Sequence, residues 1–144
     1  MTIEVTREEF GELAIVPTVN IMQRAHWSKK TAQRDAYILI FSIIKYREKI
    51  KSAQRGQKFK MVITSYRPRL MDTDNLYGAH KWMIDALCLE IGKDKNGNIK
   101  HGSKIIYDDD PEHLDLTVKQ VKATKKTKEK IKTLIEIDAI EFID

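Results

Sequence analysis

Asp72 and Asp74 stand two positions apart in the run Arg67-Pro68-Arg69-Leu70-Met71-Asp72-Thr73-Asp74-Asn75-Leu76. In an extended chain, alternate residues point to one face, which would set the two carboxylates side by side. Such neighbours repel each other unless a cation lies between them. Hard oxygen ligands of this kind suit Mg²⁺ or Mn²⁺ rather than zinc. Read without a cation, Asp72 is a turn residue and Asp74 the N-cap of the following helix. A second acidic group, Asp108-Asp109-Asp110-Pro111, follows the apolar triplet Ile105-Ile106-Tyr107 and so falls at a strand end, or else in a polar loop. Lys81 and Asp85 are four apart on a predicted helix, where they share a face and can pair. Asp85 sits between Ile84 and Ala86, so it is expected to be half buried and to orient Lys81 or another neighbour. Lys81 is then a candidate to touch a phosphate, or an ordinary surface lysine.

Other chemistries fit less well. Asp94-Lys95-Asn96-Gly97-Asn98 opens like a calcium loop, but its glycine comes too early and Ile105 stands where a glutamate should. His26, His80, His101 and His113 show no paired spacing for zinc, and the single cysteine, Cys88, excludes a four-cysteine site and an internal disulfide. No phosphate-cradling glycine loop is present, so no nucleotide cofactor is expected.

The chain has 144 residues, 42% hydrophobic and 33% charged, which reads as one globular domain, 1–144. No apolar run is long enough for a membrane span, and the N-terminus lacks a secretory signal. A cytoplasmic location, in a bacterium or a phage-infected cell, is the expectation. The net charge of +5 favours a polyanionic partner, and lysine and arginine crowd Arg24 to Arg34, Lys45 to Lys60 and Lys119 to Lys132. Basic runs around an acidic focus suit an enzyme that holds a phosphate backbone and a cation together. Arg67, Arg69, Lys45 and Lys49 are the expected backbone contacts, unless these runs are merely solvated faces.

The elements that must position these residues are interleaved. Thr2 to Val5 and Leu13 to Val16 are candidate strands, followed by a turn at Pro17-Thr18-Val19-Asn20. Lys29 to Ala53 reads as a helix, with Ala36, Tyr37, Ile40, Phe41, Ile44 and Arg47 at three- and four-residue steps, closed by Gln54-Arg55-Gly56-Gln57. Lys58 to Arg67 alternates as a strand, with Phe59, Met61 and Ile63 on one face, and Pro68 ends it. Asn75 to Glu90 reads as a second helix with Leu76, Ala79, Met83, Ala86 and Leu87 on its stripe. Asn96-Gly97 marks a hairpin within Lys93 to Lys104, and Ile105 to Tyr107 is a brief strand. His113 to Lys122 and Leu134 to Ile140 are later strands, joined by a charged turn or short helix at Thr124 to Lys130. The class is α/β or α+β, a small mixed sheet packed against two main helices.

Taken together, Asp72-Thr73-Asp74-Asn75-Leu76, Lys81 with Asp85-Ala86-Leu87, and Ile106-Tyr107-Asp108-Asp109 resemble the RusA-like Holliday-junction resolvases, many of them encoded by phages. Pro17 to Asn20 and His26-Trp27 resemble that family's opening. The likeness covers most of the chain, from about Val16 to Val121. It implies a homodimer that cuts four-way DNA junctions with Mg²⁺, with Asp72, Asp74 and Asp109 as metal-binding acids, Asp108 as a helper, Lys81 as the essential lysine, and Asp85 and Asn75 as orienting residues. Relative to the family pattern there is an added helical turn before Lys81 and an inserted hairpin at Gly92 to Gly102. Two other classes stay open: a non-catalytic DNA-binding or packaging accessory, and a protein-interaction domain with a structural acidic cluster.

Overall fold

The structure, a computed structural model, describes residues 1–17, 27–127 and 129–142. Strands β1 (Thr2–Thr6), β2 (Gln57–Arg67), β3 (Leu114–Lys122) and β4 (Lys132–Phe142) form one sheet in the order β1-β4-β2-β3. The helices are a single turn, α1 (Arg7–Phe10), then α2 (Trp27–Arg47), α3 (Thr73–Ala79) and α4 (Lys81–Leu87). β1 runs antiparallel to β4, with Thr2 opposite Glu136 and Thr6 opposite Lys132. Phe59 N–H donates to His113 O at one end of the β2–β3 pair and Ala123 N–H to Arg67 O at the other, so β2 and β3 are parallel. Parallel neighbours need a crossover, and the connection that carries α3 and α4 supplies it. The class is therefore mixed α+β, as the interleaved pattern implies. No described helix is long and apolar enough to cross a membrane.

Backbone proximity divides the chain into two compact units: Met1–Ala25, Met61–His80 and Leu116–Asp138 in the first, and His26–Lys60, Lys81–Asp115 and Ala139–Asp144 in the second. In the first, Ile3, Val5, Met61, Ile63, Leu76, Ile135 and Ile137 are buried, and Thr133 Oγ1 donates to Ala14 O at 2.6 Å. In the second, Tyr37, Ile40, Phe41 and Ile44 form the buried stripe of α2, which packs on α4, whose Met83, Ile84, Ala86 and Leu87 are buried.

Several sequence expectations are corrected. Leu13 to Val16 is not a strand: Gly11–Ala14 winds a 3₁₀ turn behind Gly11, whose φ is 60°. The long helix ends at Arg47, not Ala53. Ile50 N–H bonds Lys45 O at 3.0 Å and Lys49 N–H bonds Tyr46 O at 3.4 Å, a Schellman closure with Lys49 at φ 54°. The sequence hid this end because a lysine holds the left-handed position that glycine usually fills, at a cost of about 1 kcal/mol. The Asn75 to Glu90 helix is two helices, broken at His80 (φ −91°, ψ 0°) and finished at Leu87. Its N-cap is Asp72, not Asp74. The triplet Ile105 to Tyr107 makes one parallel bridge, Ile106 to Cys88, rather than a strand. Asn96-Gly97 does turn a hairpin, closed by a Lys93 to Ile99 bridge. Residues 18–20 and His26, which carry the N-terminal turn and most of the family-like opening, lie outside the described residues.

Candidate metal centre

In the first unit, the approach to the acidic pair is held by side chains. Pro68 ends β2, and the Gln120 amide of β3 clasps Met71, donating to its O at 2.7 Å and accepting from its N–H at 2.9 Å. The chain then turns into α3, with Asn75 N–H bonded to Asp72 O at 3.0 Å. Asp72 is extended at ψ 139° but makes no side-chain cap, and Asp74 lies in the first helical turn. The helix therefore starts between them, so the extended side-by-side arrangement gives way to two exposed carboxylates flanking a helix start. Their charge suits the partial positive charge there. Tyr77 OH accepts from Val118 N–H at 3.2 Å, fixing α3 to β3.

His80 closes α3 by donating from Nδ1 to Leu76 O at 2.8 Å, which answers a carbonyl left over at the helix end. Because a carbonyl only accepts, Nδ1 carries the hydrogen and Nε2 is a bare lone pair; it is buried and has no partner. Burial pushes the imidazole down to about 4, and nearby Arg67 adds to this against the Leu76 bond. Arg67 is itself 6% exposed, with Nε donating to Arg69 O at 3.0 Å. Arg67, expected from the sequence as a phosphate contact, is thus a buried side chain bonded within its own unit. Arg69 is exposed, and Asn75 is half buried.

In the second unit, Lys81 opens α4 and its Nζ lies 3.2 Å from Asp85 Oδ1 and 3.4 Å from Asp109 Oδ2. Burial pulls the ammonium down, but Asp85 and Asp109 outweigh it and hold Lys81 protonated. Asp85 is half buried, as its apolar neighbours imply; burial pushes its carboxyl up, Lys81 opposes this, and Asp109 adds to it.

The Asp108–Asp110 loop reaches this place because residues 103–107 hang on the end of α4. Ser103 N–H bonds Ala86 O at 2.8 Å, Ile105 N–H bonds Leu87 O at 2.9 Å, and Leu89 N–H bonds Tyr107 O at 3.2 Å. Gly102 permits the approach, since a Cβ there would lie 2.3 Å from Cys88 O. Asp110 is then committed to the loop: its Oδ1 accepts from Glu112 N–H and His113 N–H, and His113 Nδ1 lies 2.8 Å from both carboxylate oxygens. Burial raises Asp110, but the hydrogen bond from His113 and the other contacts bring it below its ordinary value. Asp108 is pushed up to about 6 by burial and by sharing a proton-mediated contact with Asp110.

Two overlapping groups could hold a metal ion: Cys88, Asp108 and Asp109, and Asp108, Asp110 and His113, with ligand atoms within 4.8 Å in each. Burial and the charges of Asp109, Asp85 and Asp108 hold Cys88 as a thiol, and its Sγ donates to Ile84 O, so it offers no soft thiolate. With Asp110 committed to His113, the carboxylates of Asp108 and Asp109 are the donors that fit a hard cation. Sequence reasoning missed His113 and Gln120 as supports; Asp110-x-x-His113 spacing was the available signal for the first. Lys45 is not a free surface cation either: its Nζ donates to Ser52 Oγ at 2.6 Å and Ser103 O at 3.0 Å, and burial and Lys104 lower its pKa. Lys49 is exposed. No family model, curated protein or solved structure matches the chain.

Proposed function

We propose that the protein is a Mg²⁺-dependent endodeoxyribonuclease, with Mn²⁺ as a substitute, acting on four-way or other branched DNA. The observation that carries the reading is the Lys81 ammonium held between Asp85 and Asp109, beside the crowded carboxylates of Asp108 and Asp109. Carboxylates alone repel a phosphodiester, so an acidic focus in a chain of net charge +5 makes chemical sense for DNA when a cation mediates. A divalent cation on Asp108 and Asp109 would supply charge stabilisation and a lowered water pKa. Asp85 orients Lys81, and the fixed ammonium offers its charge to a non-bridging or leaving oxygen of the phosphate. Asp72 and Asp74 enter the reading as further metal-binding acids through the family resemblance, as does a homodimer matched to a branched substrate.

The test is a labelled four-way junction and a matched linear duplex, incubated with Mg²⁺ or with EDTA. Junction cleavage in Mg²⁺ alone, abolished by Asp109→Asn and by Asp74→Asn with DNA binding retained, is the expected result. Cleavage at the normal rate by either variant, or in EDTA, overturns the assignment.

A further inference from the structure

A cavity of about 850 Å³ in the second unit has Lys45, Tyr46, Arg47, Lys49 and Lys104 in its lining. Four of these side chains are cationic and none is a carboxylate, although Glu48 lies 4.0 Å from Arg47. Lys49 (φ 54°) and Lys104 (φ 62°) are the only non-glycine residues with positive φ among those described, and both line this cavity. Glycine would occupy either position without strain, so both lysines are kept there at a conformational cost, and what they add over glycine is a charged arm. Burial and the neighbouring Lys104 charge lower the Lys45 ammonium. Tyr46, also on the wall, is 90% exposed, the highest among the exposed large hydrophobic residues. A ring left in water beside a positive concavity is the pairing that holds an unpaired strand, with cations on the backbone and an aromatic face for a base.

The geometry points to this cavity as a subsite for an unpaired nucleic-acid strand, with Lys49 and Lys104 taking phosphodiester oxygens and Tyr46 stacking on a base. The inference rests on the nucleic-acid part of the proposed function and adds a second place on the surface, specific for single-stranded segments such as those at a branch.

The test is fluorescence anisotropy in EDTA, with a labelled oligothymidine and a matched duplex. Tyr46→Ala is expected to weaken single-strand binding on the order of ten-fold while leaving duplex binding unchanged, and Tyr46→Phe to restore it. Lys49→Gln and Lys104→Gln should each reduce the slope of log affinity against log salt by about 0.7 on the single strand. Unchanged single-strand affinity in Tyr46→Ala, or an equal loss on duplex, overturns the inference. So does a Tyr46→Ala variant that loses self-association in sedimentation yet binds the strand normally. Because these measurements need no divalent ion, strand binding without junction cleavage in Mg²⁺ would sink the nuclease reading alone. Cleavage with unaltered strand binding in Tyr46→Ala would sink only this subsite.

Discussion

The buried imidazole of His80 sets a specific dependence of stability on pH. Its folded pKa is depressed from 6.5 to about 4, so above pH 6.5 both folded and unfolded chains carry it neutral. As pH falls below 6.5 the unfolded chain takes up a proton that the folded chain refuses. The stability this group contributes is thus present above 6.5 and is lost as pH falls towards 4. The full gap corresponds to about 3 kcal/mol, and about 2 kcal/mol of it falls between pH 7.5 and 5. Asp108 acts in the opposite sense over part of this window. Its folded pKa is raised to about 6, so its contribution is present at low pH and lost as pH rises through 6. A difference measurement removes that overlap. His80→Asn keeps a nitrogen able to donate to Leu76 O but has no titration, and both proteins carry Asp108. Urea unfolding followed by tryptophan fluorescence should show the wild type more stable at pH 7.5, because the smaller side chain leaves a void. The advantage should shrink by about 2 kcal/mol at pH 5. If the two proteins lose stability in parallel from pH 7.5 to 5, His80 is not a buried neutral base and the account of the α3 end fails.

Three further outcomes follow from the same geometry. Gly102→Ala forces a Cβ onto Cys88 O, 2.3 Å away, and should destabilise the protein by about 2 kcal/mol or more, read from its thermal midpoint in EDTA. Lys49→Gly should raise the urea midpoint by relieving the left-handed lysine, a gain of about 1 kcal/mol, while weakening single-strand binding; a drop in stability would refute the strain argument. Asp108→Asn should raise metal-free stability at pH 7 by removing a crowded carboxylate, with the gain fading as pH falls from 6 towards 3.8, and should abolish the upward shift that Mg²⁺ or Mn²⁺ gives the wild type. An equal Mg²⁺ shift in both proteins would exclude Asp108 as a ligand.

What the sequence determined is what depends on local periodicity. The Tyr37, Ile40, Phe41, Ile44 stripe and the Phe59, Met61, Ile63 alternation sort to buried faces because side-chain direction repeats with the backbone, whatever packs against it. The four-residue step from Lys81 to Asp85 likewise makes an ion pair inside one helix. The acidic runs and the mixed class were legible for the same reason. Tertiary structure alone decided where neighbours lie far apart in the chain. It broke one predicted helix at His80, where a buried ring answers Leu76 O, and it folded Arg67 back on Arg69. It brought Asp109 to Lys81, 28 positions earlier in the chain, because Gly102 lets residues 103–107 bond the carbonyls at the end of α4. It also set the Asp110 carboxylate against His113, which holds the acidic loop in place. Hydrogen bonds to orphan carbonyls and the close approach of two backbones carry no repeating signature, so they become visible only when the chain has folded.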